Sequence, residues 1–394
     1  MRSRKRFKVA VIGVRGLPGV IGGIETHCAQ LYPALAARAP EFKFLILVRR
    51  RYAATRQTEF NGVEVRALWA PRKHAIETLV HTPLAVLHAR FRHGAQLIHL
   101  HAIGPGFFSP LARALGMRVI VTHHASDFLR PKWNWTGRMF LRWGERLTAR
   151  FADRVICVSE ALATDFLERY PAAWFKTEVV RHGIAPRVST PIKTGRVLAE
   201  LGLEPGRYLL AVGRYDETKR FEQLVQAHRQ AGPAVLPLVI VGSGDAIVGA
   251  RLRAIATDNV RLAGSRTGGA LDELYHQAAA LVHPSAMEGF ALVVLEALAA
   301  GLPVRISDIP VHREFGLSEN SYFPLDDPNA LAMVLSAVTP RAVPSLEALA
   351  LAEQHGFART VSEHHRILRS VVGFVSQSAF QITPAPAGAE PRPQ

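Results

Sequence analysis

Short apolar runs alternate along this chain with longer stretches in which apolar positions recur every three or four residues. Residues 7–13 (FKVAVIG) predict a strand, a glycine-rich turn runs to Gly23, and residues 24–37 carry a helical period. Further strands are predicted at 44–48, 63–68, 96–99, 119–122 and 155–158, with helical patterns between most of them. A second series follows at 208–213, 238–242, 260–263, 279–283 and 304–306. Strands that are apolar throughout and separated by helices predict parallel sheets covered on both faces. The stretch 183–195 (GIAPRVSTPIKTG) lies between the two series and is expected to be a hinge.

The predicted architecture is therefore α/β, with two Rossmann-like, doubly wound domains facing a central cleft. We assign residues 1–186 to a basic first domain and 187–357 to a second domain. Residues 358–375 are assigned to a C-terminal helix able to pack back on the first domain, and 376–394, rich in Pro and Ala, to a disordered tail.

Composition adds size and charge. With 394 residues, 48% of them hydrophobic, the chain can bury two cores. Its formal charge of +16 is uneven: residues 1–186 hold 29 Lys and Arg against 12 Asp and Glu, a net of +17, and the remainder holds 19 against 20. Basic clusters fall at 2–8, 49–51, 72–74 and 130–154. Such asymmetry implies an anionic partner for the first half only, a membrane leaflet or a nucleic acid. Cys28 and Cys157 cannot form a disulfide framework, and a reducing cytosol fits them. The basic start resembles that of a signal peptide, but the apolar run 9–14 stops at Arg15, so export is not expected. With no apolar run of about 18 residues, membrane contact would be peripheral.

The chemistry concentrates in residues 284–296 (PSAMEGFALVVLE). A predicted strand ends at His283, Gly289 permits a tight turn, and a helix is expected to start near Phe290 or Ala291. That start would leave the amides of Phe290, Ala291 and Leu292 unpaired at a positive dipole end, which suits a diphosphate. Glu288 would stand at the strand's carboxyl edge. Glu296 would lie about 8 Å further along the helix, the reach from a diphosphate to a ribose whose hydroxyls a carboxylate accepts. A glutamate on a helix is commonly just solvated, but this helix is apolar nearly all round, so Glu296 needs a partner.

Gly22 and Gly23 lead directly into the first helix, where backbone amides can approach a phosphate. Arg214 and Lys219 follow a strand of the second series and could neutralise a leaving diphosphate without a metal. His124, after His123 at a strand end and close to Asp127, could hydrogen-bond a sugar hydroxyl. Asp127, Arg130 and Lys132 are assigned to the acceptor side. His99 and His101 share a strand face, but no further ligands have metal spacing, and no metal or other cofactor is expected. Aromatic and basic residues interleave from Phe128 to Arg146, a mixture that suits lipid headgroups, nucleic acid or an amphipathic core helix.

These motifs resemble glycosyltransferase family 4, a retaining group with the GT-B fold. The resemblance runs from VAVIG to about Arg369 and is carried by HPSAMEGFALVVLEALAAGLPV, with two glutamates separated by seven residues, and by VGRYDETK. The segments VSEAL and IHLHAIGPG through VTHHASDF are similar to a bacterial polysaccharide-assembly subgroup. The resemblance implies that Glu288 approaches the donor sugar, Glu296 holds the ribose, Arg214 and Lys219 bind the diphosphate, and His124 sits beside the transferred sugar. Gly22 and Gly23 would approach the diphosphate from the first domain, opposite Gly289, Phe290, Ala291 and Leu292 of the second. Two positions depart from the family pattern: Ala291 replaces a common Gly, and Arg181-His182-Gly183 replaces a common Pro-Asn-Gly.

The expected partners are a nucleoside diphosphate sugar, a lipid-linked or saccharide acceptor, and an anionic membrane surface at the cytoplasmic face of the plasma membrane, with no nucleic acid. Three rival activities share some of these features. A nucleotide-sugar epimerase would need no acceptor, and a nucleic-acid-binding protein would leave the two glutamates without a role. A glycoside hydrolase needs carboxylates on opposite sides of the bond, whereas these share one loop and helix.

Overall fold

The computed structural model describes residues 6–20, 22–72, 74–184 and 195–373. Most of the predicted hinge and the whole predicted tail therefore lie outside the described residues. The first sheet has eight strands: β1 (Phe7–Ile12), β2 (Phe42–Arg49), β3 (Gln57–Phe60), β4 (Val63–Leu68), β5 (Leu97–His101), β6 (Arg118–His123), β7 (Arg154–Cys157) and β8 (Thr177–Val179). Their order is β3-β4-β2-β1-β5-β6-β7-β8, parallel except for β3 against β4. The second sheet has six parallel strands: β9 (Leu209–Val212), β10 (Leu238–Val241), β11 (Val260–Gly264), β12 (Ala280–His283), β13 (Val304–Ser307) and β14 (Tyr322–Phe323), ordered β11-β10-β9-β12-β13-β14. These are the two doubly wound α/β domains that the alternation predicts.

Three strands have no apolar run to announce them. β3 (QTEF) is a polar edge strand with alternating exposure, and β8 and β14 have only three and two residues. The central strands are the opposite case: Val9, Ala10, Val11 and Ile12 of β1 are fully buried, with cores on both faces of the sheet.

The last helix, Phe357–Val371, starts one residue before the expected 358. It returns to the first domain, where Val361, Ile367 and Leu368 join a cluster with Val11, Leu31 and Tyr32. Its Thr360 hydroxyl donates to the Arg181 carbonyl at 2.9 Å, which ties the helix to the residues entering the hinge. A second tie comes from Glu314 of the second domain, whose carboxylate accepts from the amides of Glu160 and Ala161 at 3.0 and 2.8 Å. Those amides open the first-domain helix Glu160–Arg169, so a carboxylate of one domain meets the positive dipole end of a helix in the other.

Leu368 is 2% exposed and fills this inter-element core. Leu368→Ala is expected to destabilise the protein by about 2–5 kcal/mol in a denaturant titration; an unchanged midpoint would mean that the helix does not belong to the first domain's cooperative unit.

Candidate active site

In each sheet the strand order reverses beside a central strand, at β1/β5 in the first and β9/β12 in the second. Chains leaving the carboxyl ends of such neighbours diverge to opposite faces and open a crevice between them. The loops that open there are the Gly13–Gly23 turn after β1, the residues after His101 and His123, the segment 213–219 after β9 and the segment 284–291 after β12. The two second-domain loops are stitched together, since the Ala286 amide donates to the Thr218 carbonyl at 2.8 Å.

That stitching places Lys219 on Glu288. The ammonium donates to Glu288 Oε1, which also lies 2.9 Å from His283 Nε2. The carboxylate is nearly buried. Burial works against its ionisation, yet Lys219 and His283 hold it well below the usual carboxylate range. His283 is pushed down by burial and by Lys219, so it stays neutral and donates through Nε2. Behind it, His312 is pushed down to about 4 by burial. His312 hydrogen-bonds the Ser307 carbonyl at 2.7 Å, and the Ser307 hydroxyl donates to the Ser285 carbonyl at 2.5 Å. This chain fixes the loop that carries Glu288.

Gly289 brings the other domain within contact. A Cβ built there would stand 1.5 Å from the His124 carbonyl oxygen, so only glycine lets the two backbones meet. Beside this seam Arg130 pairs with Asp127 at 2.8 Å and reaches Asp216 of the second domain at 3.5 Å. Burial lowers the Arg130 pKa, but Asp127 and Asp216 more than offset it. Lys132 is pushed down, chiefly by burial. Arg214 stands exposed at the rim.

The helix after Gly289 runs Leu292–Ala299 and starts later than the sequence predicts. The Leu292 amide donates to the Phe290 carbonyl at 3.0 Å and is not available to a phosphate, a correction to the expected donor set. The amides of Phe290, Ala291 and Val293 have no backbone partner among the described residues. Ala291, at φ −80° and ψ 80°, precedes the first helical residue in a bent conformation that pulls the Leu292 amide back into the turn. Glu296 accepts from the Tyr275 hydroxyl at 2.8 Å, the partner that its apolar helix demands.

Across the cleft Gly23 faces this helix start, since a Cβ there would lie 3.8 Å from Leu292 Cδ1. Gly22 is more crowded: a Cβ would be 2.1 Å from Glu25 Oε2, part of a 2.9 Å ion pair with Arg15. His123 and His124 part as neighbours on a strand must. His123 is buried against Glu145 at 2.8 Å, and His124 joins an array of rings.

The array extends well beyond the expected pair. The Tyr32 hydroxyl lies 2.9 Å from His99 Nδ1 and 2.6 Å from His101 Nε2, and His101 Nδ1 lies 2.9 Å from His124 Nε2. His182 stacks 5.5 Å from His124 and 4.2 Å from His27, which is 5.6 Å from His364 of the last helix. His182 also meets Phe290 of the second domain edge-on at 5.6 Å. Six imidazoles from four elements and the hinge approach thus collect behind the cleft. Burial, then mutual repulsion, pushes His27, His101 and His124 well below 6.5, His182 to about 3, and, by burial, His364 to about 4. No group of three or more His, Cys, Asp or Glu among the described residues is arranged to hold a metal ion.

Of the expected residues, Glu288, Gly289, Lys219, His124, Asp127, Arg130 and Gly23 line the meeting of the two domains. Asp216, His283, Tyr275 and the array's His27, His182 and His364 are not among the expected residues. Asp216 and His283 carry a sequence signal, since they fall inside the VGRYDETK and HPSAMEGF segments.

Glycosyltransferases of the GT-B class are built from two such domains around such a cleft, and this chain has their fold. Residues 21–188 match the family described as Glycosyltransferase Family 4, and residues 199–333 match Glycosyl transferases group 1. An alpha-maltose-1-phosphate synthase of Mycolicibacterium smegmatis is 33% identical over 235 residues, 55% of this chain and 60% of that protein. A D-inositol 3-phosphate glycosyltransferase of Actinosynnema mirum is 29% identical over 339 residues, 75% of this chain and 80% of that protein. The chain thus spans about three-fifths of the length of the maltose-1-phosphate synthases it matches. Among solved structures, sucrose-phosphate synthase from Thermosynechococcus elongatus superposes with a TM-score of 0.75 at 21% identity, over 94% of this chain and 100% of that one. Anabaena HepE in complex with UDP and glucose gives 0.72 at 18%, over 93% and 100%. At these identities the two structures speak for the fold.

Gly289→Ala is expected to part the domains: the radius of gyration from X-ray scattering should rise while the circular dichroism stays unchanged. An unchanged radius would contradict the backbone contact at His124. The histidine array makes stability depend on acid. Each of its rings protonates near pH 6.5 in the unfolded chain but only at lower pH in the fold, so stability present above pH 6.5 is lost as the pH falls toward about 4. Each ring steepens the slope by up to about 1.4 kcal/mol per pH unit. Melting temperature followed from pH 7.5 to 4.5 should drop over this window and drop less in His27→Gln; parallel profiles would count against the array.

Proposed function

We propose that the protein is a retaining, metal-independent glycosyltransferase that moves a sugar from a nucleoside diphosphate sugar to an acceptor hydroxyl. We further propose that the acceptor is a lipid diphosphate-linked saccharide of polysaccharide or lipopolysaccharide assembly, presented at the cytoplasmic leaflet where the protein sits peripherally. The observation that carries the reading is the Glu288 carboxylate, kept ionised by Lys219 and His283 beside amides at a helix start.

The diphosphate would lie on the amides of Phe290, Ala291 and Val293, with Lys219 and Arg214 meeting its charge. A phosphate competes with Glu288 for Lys219, so donor binding frees the carboxylate to accept from sugar hydroxyls. Glu296, oriented by Tyr275, would take the ribose hydroxyls. As the bond from the anomeric carbon to the phosphate oxygen breaks, the acceptor oxygen bonds the same face of that carbon and its proton passes to the departing phosphate. Charge built up on the diphosphate is met by preplaced cations and amides, and the transition state is stabilised without a metal. The other route to retention needs a carboxylate nucleophile; here Glu288 is assigned to the sugar hydroxyls, and Asp216 is held by Arg130 and the Thr218 amide.

The acceptor reading rests on the +17 charge of residues 1–186 and on Arg130 and Lys132 at the first-domain side of the seam. A second reading, a water-soluble phosphorylated acceptor, is favoured by the names of the relatives, alpha-maltose-1-phosphate synthase and D-inositol 3-phosphate glycosyltransferase.

Radiolabelled nucleotide sugars supplied with detergent-dispersed lipid extract test the proposal. Label should enter the organic phase with its anomeric configuration retained, in the presence of EDTA. Glu288→Gln should lower turnover by at least about 100-fold, the scale of losing one electrostatic contact to the transition state. Label confined to soluble sugar phosphates would establish the second reading. Conversion of the nucleotide sugar without acceptor would establish an epimerase, and loss of activity in EDTA with recovery on adding magnesium would refute metal independence.

A further inference from the structure

Eleven of the fifteen exposed large apolar side chains among the described residues belong to the basic first domain. Five of them, Ile76, Leu79, Leu84, Leu87 and Phe91, lie on the helix His74–Leu87 and its continuation His88–Arg92. At 3.6 residues per turn they fall within an arc of roughly 140°. The opposite face is already used: Ala85, Val86 and Ala89 pack into the sheet, and Glu77 is buried against Arg49 at 3.0 Å and Arg51 at 2.9 Å. A helix apolar on both faces needs cover on both, and the outer face has none from the described residues.

The helix Trp135–Phe151 lies on the same side of the domain, with Gly104 packed between them: a Cβ there would touch Thr78 of the first helix at 3.4 Å and Leu141 of the second at 3.6 Å. Its outer face presents Arg138, Arg142, Arg146 and Arg150 at four-residue spacing, beside Trp135, 74% exposed, and Trp143. Carboxylates are scarce here. Residues 69–151 hold only Glu77, Asp127 and Glu145, and each is paired with an arginine. One helix therefore offers apolar side chains to be buried, and its neighbour offers cations with interfacial tryptophans and no exposed acid.

We propose that this two-helix face is where the protein lies on an anionic lipid leaflet, with the outer side chains of the helix at 76–91 inserted among the acyl chains and the four arginines on the headgroups. This deepens the reading of a membrane-borne acceptor and rests on it. Both helices start at the carboxyl edge of the first sheet, as Glu77 pairs with Arg49 at the end of β2 and Trp135 follows β6. A protein docked in this way holds the mouth of its cleft beside the lipid surface. Charge complementarity favours an anionic leaflet over a second copy of this chain, because two copies meeting through this face would bring two rows of arginines together.

Sedimentation with vesicles of phosphatidylglycerol and phosphatidylcholine, compared with phosphatidylcholine alone, tests the proposal, with tryptophan emission as a second readout. The wild type should bind the anionic vesicles with a blue shift. Leu84→Ser/Leu87→Ser/Phe91→Ser should lose at least tenfold in partitioning and become fully reversible by salt, with circular dichroism and turnover of a detergent-dispersed acceptor unchanged. Arg138→Gln/Arg142→Gln/Arg146→Gln should lose the preference for anionic lipid. If the apolar variant binds as the wild type does, this face is not the docking surface although membrane association stands. If the wild type ignores anionic vesicles, the membrane-borne acceptor falls too. A wild-type dimer that the apolar variant converts to monomer would assign the face to a second copy and overturn the proposal.

Discussion

Everything at the cleft is arranged around one pair of charges taken out of water together, Lys219 and Glu288. Such a pair survives burial only if its remaining hydrogen-bonding capacity is met, since either ion alone would cost several kcal/mol. His283 supplies the second donor to the carboxylate, and the Ala286–Thr218 contact holds the two loops at pairing distance. The pair can form because β9 and β12 are neighbours in space although some seventy residues apart in sequence. The strand order thus produces an anion and a cation side by side where a crevice opens.

The first domain completes this half-site. Gly289 on the His124 carbonyl, Arg130 reaching Asp216, and Glu314 on the helix at Glu160 are three contacts across the same boundary. None involves a large apolar interface; they are a backbone contact, a charge pair and a cap. Contacts of this kind can break and remake as substrates enter, beside the apolar cluster in which Val158 and Leu162 of the first domain pack with the second domain's core. The neutral histidines behind them let six polar rings share a buried space without mutual charge repulsion.

Much of this was legible in the residues. Central strands are continuous apolar runs because they are covered on both faces, so both sheets could be placed, while β3, β8 and β14 at or near sheet edges carried too little apolar signal. Glu288, Lys219 and His124 were legible because each follows directly on a predicted strand. Their partners were not: Tyr275 meets Glu296 from a separate helix, and His27, His182 and His364 converge from segments more than a hundred residues apart. The later start of the helix at Leu292 escaped for a local reason, the bent turn at Ala291, which the apolar period of the helix does not encode.

As a donor site, this cleft must take a nucleoside diphosphate through the second domain. Calorimetric titration of the wild type and of Glu296→Ala with UDP, GDP, dTDP and ADP, in EDTA and then with magnesium, tests it most directly. One nucleotide is expected to bind without metal and to bind at least tenfold more weakly in Glu296→Ala, a loss of about 1.4 kcal/mol. Failure of every nucleoside diphosphate to bind, or equal binding by the variant, would contradict the account.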